Sequence, residues 1–193
     1  MLHIALTRLN LKSLHSQSIS YSGATCGDQN RMLALLNYYR ALHNAPALKW
    51  NGQLASDALA WGKSEMARAG KTGVCDIEHD YDHLPGLDAL GVEDSYGMLA
   101  GEGENLYQNN FAQPMLGSCS LAVRGWYDGE YPLFGSWVGD LNDKISGDML
   151  HKVGHLTQLL WKSTTDVGCA ALESRLSPAS KCFFVVCRWS PPG

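Results

Sequence analysis

Apolar residues recur at helical spacing through most of the chain and at strand spacing near its end. The run QNRMLALLNYYRALHN, with Asp28 as its N-cap, places Met32, Leu35, Leu36 and Tyr39 three and four residues apart, which predicts a first helix halted by Pro46. Asn51 caps a second helix, whose apolar stripe is Leu54, Ala58, Trp61 and Met66 and whose stop is Gly70. SCSLAVRGWYD predicts a third, with Leu121, Ala122 and Trp126 facing inward, while the aromatic and Gly-rich YPLFGSWVGD after it reads as irregular. HLTQLLWKS predicts a short helix with Leu156, Leu159 and Leu160 on one side. Then the pattern changes: VGCAAL and CFFVVCRW are short β-branched and aromatic runs separated by a Ser/Pro loop, the signature of paired strands. Helices around a terminal sheet place the chain in the α+β class.

Two stretches lie outside these elements. Residues 1–25 read as an extension of mixed polarity, so the domain is expected to span 26–193. Residues 80–103 form a long Gly-containing loop with carboxylates at Asp80, Asp82, Asp88, Glu93 and Asp94, followed by Glu102. A loop of that length is usually functional or mobile. Its charges are either solvated or extra cation ligands.

At 193 residues, 45% apolar and 18% charged, the chain has the length and composition of one globular domain. Fifteen basic against nineteen acidic side chains, with no basic stripe, argue against nucleic acid as a partner and against electrostatic docking on an anionic membrane. No apolar run is long enough to span a bilayer, so no transmembrane segment is expected. The six cysteines, Cys26, Cys75, Cys119, Cys169, Cys182 and Cys187, include no C-x-x-C pair. An even, scattered set reads as three disulfides in an exported protein. Export has no second support, because Arg8 and Lys12 interrupt the N-terminal apolar stretch and no N-x-S/T acceptor occurs.

Enzymatic motifs fail one by one. His151 and His155 stand four apart, as zinc-protease ligands do, but Lys152 replaces the general-base Glu and Gly154 weakens a helix there. No G-x-S-x-G elbow surrounds Ser118 or Ser163. No catalytic nucleophile is predicted.

The segment GHLTQLLWKSTTDVGC (154–169) resembles the signature of the cysteine-rich secretory, antigen 5 and pathogenesis-related (CAP) superfamily. GENL at 103–106, FFVVCRWSPPG at 183–193 and the opening YYRALHNAPALKWNGQLASDALAW are similar to its other motifs, in the same order. Departures are Leu36 where the family's opening histidine is common, Trp189 where Tyr is common, and an end at Gly193 where members often continue, which suggests a truncated chain.

The resemblance implies a single-domain α-β-α sandwich with a short central antiparallel sheet, stapled by disulfides. By analogy it pairs Cys169 with Cys187 and Cys75 with Cys182; Cys26 and Cys119 remain, and their pairing stays open. It further implies a central cleft lined by two histidines and two glutamates. His79, Glu104 and His155 match their motifs. In WYDGE, Gly129 stands where the fourth carboxylate is expected and Glu130 comes one residue late, a helical rotation of about 100°. Asp128 is the fallback. Such a set suits zinc or another divalent metal, and it equally suits imidazoles held by carboxylates with no metal.

Some family members bind sterols or fatty acids, which implies a small lipid as ligand. Tyr131, Leu133, Phe134 and Trp137 are the candidate contacts, and Trp126 is either one of them or core. Trp126, Tyr131 and Phe134 also fit a weak aromatic spacing pattern proposed for sterol contact. Three functions follow: a lipid or sterol carrier, a metal-dependent hydrolase, or a non-enzymatic module that engages an extracellular protein. The resemblance implies a secreted monomer, with defence or virulence as the setting of the interaction module.

Overall fold

The computed structural model describes residues 21–80, 102–111, 118–135, 147–177 and 180–193. Its elements are β1 (Tyr21–Thr25), α1 (Gln29–Leu42), β2 (Lys49–Trp50), α2 (Gly52–Thr72), β3 (Gly103–Phe111), α3 (Cys119–Gly135), α4 (Gly147–Leu160), β4 (Asp166–Ser177) and β5 (Ser180–Ser190). The strands form one sheet in the order β1-β4-β5-β3, all antiparallel, with the two-residue β2 alongside β4 in parallel. Strand β1 lies in the stretch that the sequence pattern leaves as an extension; its pairing partner is Ala170–Ser174 of β4.

The residues from Cys182 to Trp189 are all buried, because helices cover both faces of the sheet. Alternation sorts them. Phe184 and Val186 face α2, packing with Ala58, Met66, Ala69 and Leu172. Phe183, Val185, Cys187 and Trp189 face α1, α3 and α4, packing with Met32, Leu36, Trp126, Leu156 and Leu159. Trp126 is therefore core, and the architecture is a three-layer α-β-α sandwich. Helix α2 lies so close to the sheet that a Cβ on Gly168 would stand 2.2 Å from the Ala55 nitrogen and 2.5 Å from the Asn51 oxygen. Only glycine fits there.

Four local expectations change. Asp28 makes no side-chain cap on α1; its carboxylate instead accepts from the Cys119 N–H at 2.9 Å, the Ser120 N–H at 3.2 Å and the Ser120 hydroxyl at 2.6 Å, so it caps α3. Helix α2 passes through Gly70 and stops at Gly73, whose φ of 72° supplies the left-handed cap. YPLFG belongs to α3 despite Pro132, and Tyr131 stacks on Tyr127 one turn earlier. Helix α4 begins at Gly147, well before the short segment expected.

Disulfides join Cys26 to Cys119, Cys75 to Cys182 and Cys169 to Cys187. They tie α3 to the start of α1, the segment after α2 to β5, and β4 to β5. Each contributes roughly 2 to 4 kcal/mol in the usual case. Arg40, fully buried on α1, donates to the carbonyls of Pro46, Leu159, Trp161 and Thr164 at 2.6 to 3.0 Å. It thereby satisfies carbonyls at the end of α4 that the helix leaves without partners.

Candidate functional site

His79 ends the segment that follows α2. That segment is fixed on three sides: Cys75 is bonded to Cys182, the Ile77 N–H donates to Gln108 Oε1 at 2.8 Å, and Trp61 Nε1 donates to the Glu78 carbonyl at 3.0 Å. Glu65, buried on α2, accepts from Arg68 and from the Glu78 N–H. So held, His79 places Nδ1 2.6 Å from Oε1 of Glu104, the carboxylate of GENL on β3. The Glu104 side chain is fully buried. Its cross-strand partner is Arg188, whose Nη2 lies 2.9 Å from Glu104 Oε2, a charge contact without hydrogen-bond alignment, and donates to Asp80 Oδ2 at 2.9 Å.

One buried guanidinium thus faces two buried carboxylates. Asp80 is not a solvated loop charge, because Arg188 draws it inward. Asp82, Asp88, Glu93 and Asp94 lie outside the described residues. Glu102 is half-buried, and burial, then the nearby Asp57, pushes its carboxyl up from the ordinary range.

The second pair joins α3 and α4. Glu130 Oε1 lies 2.5 Å from His155 Nδ1, and its Oε2 accepts the Leu156 N–H at 2.8 Å. The Trp126 ring lies parallel to the imidazole at 5.8 Å. On β3, Asn105 donates to the His155 carbonyl at 3.1 Å, so successive residues of GENL reach one histidine each. Because α3 runs unbroken to Gly135, Glu130 turns toward α4, while Asp128 turns toward α1 and accepts from Tyr39. The carboxylate meeting His155 is Glu130, one residue after the position that the family motif leads one to expect. The side chain of His151 lies outside the described residues.

The two pairs do not merge into one donor set. Among the described residues, no three His, Cys, Asp or Glu side chains converge on a metal position. Each glutamate is committed to an imidazole Nδ1, the arrangement that orients a histidine ring. As placed, the residues therefore fit two carboxylate-held imidazoles and not a four-ligand cage. All six cysteines are in disulfides, which leaves no thiol nucleophile.

Beside the second pair, a cleft of about 470 Å³ opens between the ends of α3 and α4, lined by Phe134, Leu156, Thr157, Leu160, Trp161, Lys162 and Ser163. Its wall is almost wholly apolar. Phe134 is the expected ligand contact found in it; Tyr131 and Leu133 lie exposed on α3 outside it, and Trp137 falls outside the described residues. Leu156 and Leu160 read in the sequence as a core stripe. Their second role was hidden because one helix face serves both the core and the cleft. Trp161 carries a signal, since a tryptophan just past a helix end has no place in the stripe.

A scan against family models matches residues 33–189 to the family described as "Cysteine-rich secretory protein family". Among curated proteins, the chain is 30% identical over 161 residues to a "Probable pathogenesis-related protein" of Arthroderma benhamiae; the match covers 81% of this chain and 42% of that protein. The chain thus spans less than half of that relative. Among solved structures, "Structure of BmVAL-1" is similar with a TM-score of 0.54 at 17% identity, covering 86% of this chain and 77% of that one. "Crystal structure of NaASP2 with Zn2+" is similar with a TM-score of 0.52 at 21% identity, covering 86% and 80%. Both likenesses concern the fold.

Proposed function

This chain belongs to the cysteine-rich secretory protein (CAP) family, and from that premise we propose that it is an exported protein that takes a small hydrophobic ligand, a sterol or fatty acid, into the cleft between α3 and α4. The observation that carries this is the cleft itself. Its volume lies in the range of small-molecule sites, about 300 to 1,000 Å³, and an apolar wall with a few polar groups at one end is how such sites combine affinity with orientation. Phe134, Leu156, Leu160 and Trp161 give the wall, and Thr157, Lys162 and Ser163 give the polar groups.

The Glu130–His155 pair serves this cleft as its frame. Glu130 binds the backbone of Leu156, a wall residue, while it binds His155, and so α3 fixes the helix turn that forms the wall. The three disulfides support export, because such bonds persist in oxidising compartments. In the test, purified chain is incubated with labelled cholesterol and, separately, labelled palmitate and then passed through gel filtration. Label that comigrates with the protein, and is lost on Phe134→Ala, supports the reading. Label that never comigrates rejects it.

Divalent-metal binding is a second reading. It is motivated by the two carboxylate-oriented imidazoles and by the zinc present with the NaASP2 fold. Calorimetric titration with Zn2+ tests it: heat that His79→Ala or His155→Ala removes in whole or in part supports it, and heat unchanged by both variants rejects it.

A further inference from the structure

Of six large apolar side chains that the described residues leave exposed, four lie on neighbouring turns of α1 and α3: Tyr38 at 59%, Leu42 at 56%, Tyr131 at 43% and Leu133 at 44%. A fifth, Trp161, is on the rim of the cleft. These residues are not loose. Tyr39, Tyr127 and Tyr131 form a ladder of near-parallel rings with centroids 3.7 and 5.1 Å apart, and Tyr38 meets Tyr39 at 5.7 Å. His43, next to Leu42, lies edge-on to Tyr131 at 5.3 Å and within 2.8 Å of the Tyr127 hydroxyl. Tyr131 is therefore supported from below and presented outward, in one patch with Tyr38 and Leu42. A contiguous apolar patch of this kind marks a site of interaction.

We propose that this face docks the protein on a zwitterionic phospholipid surface, with the mouth of the cleft turned toward the lipid. Three observations select that occupant. Phenol and indole rings with polar tips, interspersed with leucine, are the side chains that settle at the boundary between headgroups and acyl chains. The charge does not favour the anionic alternative: the chain carries a net charge of -4 with no basic stripe, and beside Tyr39 the Asp128 carboxylate is matched by the Arg124 guanidinium, a balanced pair and not a basic cluster. The patch also runs into the cleft. Tyr131 and Phe134 stand three residues apart on α3, where side chains are neighbours, and Phe134 lines the cleft together with the exposed Trp161, so patch and cleft adjoin on one helix. This last step rests on the cleft's holding a lipid.

Flotation of the full chain with phosphatidylcholine vesicles, alone and with added anionic lipid, tests the inference; binding of soluble labelled palmitate and cholesterol is measured in parallel. The substitutions are Tyr38→Ser and Leu42→Ser, which leave the cleft untouched, with thermal unfolding as the control for folding. Wild type is expected to float with phosphatidylcholine, and each substitution to weaken flotation roughly tenfold, the order expected for withdrawing one such side chain from an apolar contact, with soluble-ligand binding unchanged. No flotation of wild type, flotation that both variants retain, or flotation that needs anionic lipid and vanishes in salt would each overturn it. Soluble ligand bound without flotation would leave the cleft reading standing, as for a face that meets a protein partner instead; no soluble ligand bound would reject the cleft reading separately.

Discussion

Glu130 holds His155 and Leu156 together: one carboxylate oxygen lies 2.5 Å from the imidazole Nδ1, and the other accepts the Leu156 N–H at 2.8 Å. Two helices are joined where one of them forms the cleft wall. Glu130→Ala removes the carboxylate that engages both the His155 imidazole and the Leu156 N–H, which typically costs about 1 to 3 kcal/mol, and frees the wall to move. Chemical denaturation should show a loss of that size together with weaker ligand binding. Asp128→Ala, which removes one long 3.3 Å bond from Tyr39, should cost less than about 1 kcal/mol and leave ligand binding unchanged.

Arg188 is the cation that both Asp80 and Glu104 face, and all three are buried. Removing one partner of a buried ion group leaves the others uncompensated and typically costs about 3 to 5 kcal/mol. Arg188→Met should therefore destabilise by that amount in urea unfolding. Arg188→Lys should recover only part of it, since a single ammonium cannot reproduce the planar guanidinium fork.

Two glycines should respond in opposite ways. A Cβ at Gly168 would meet the Ala55 nitrogen at 2.2 Å, so Gly168→Ala should cost more than about 4 kcal/mol or prevent folding. Gly129 sits inside α3 with nothing within 4 Å of a built Cβ. Gly129→Ala should stabilise by about 0.5 to 1 kcal/mol through helix propensity. Melting temperatures of the two variants check both statements.

The tyrosine ladder predicts loss of stability in alkali. Burial first, then the neighbouring Asp128, raises the Tyr39 phenol above its ordinary 10.0; burial, then Tyr131, raises that of Tyr127. A phenol that holds its proton more tightly when folded stabilises fully below the unfolded value near 10 and loses that contribution as pH rises toward the folded value. Denaturation midpoints should accordingly fall above about pH 10, and Tyr39→Phe should flatten that fall.

Much of this fold was legible in the chain, for physical reasons. Met32, Leu36 and Leu54 repeat at helical spacing because each helix buries one stripe, and CFFVVCRW is apolar throughout because both of its faces are covered. Asp28 misled because a short carboxylate ahead of one helix serves equally well at the start of another, and only the tertiary fold brings Cys119 beside it. The extension of α3 through Pro132 was hidden because a proline locally disfavours helix, while the contacts of Tyr131 with Tyr127 and of Phe134 with the core appear only in the folded chain. At the site, His79, Glu104 and His155 stood out by motif. That Glu130 and not Asp128 meets His155 depends on the path of α4, which no local pattern contains, and Arg188 drew no notice because its partners lie far away in sequence.

The most direct test of the central claim is the affinity of the wild-type chain and of Leu160→Trp for a fluorescent fatty acid or sterol. Leu160 is a half-buried wall residue, so the larger indole fills the cleft at little cost to the core. Saturable binding by wild type that weakens at least about tenfold in Leu160→Trp, with unchanged thermal stability, is the predicted result. Equal affinity of the two proteins, or no saturable binding by either, would contradict it.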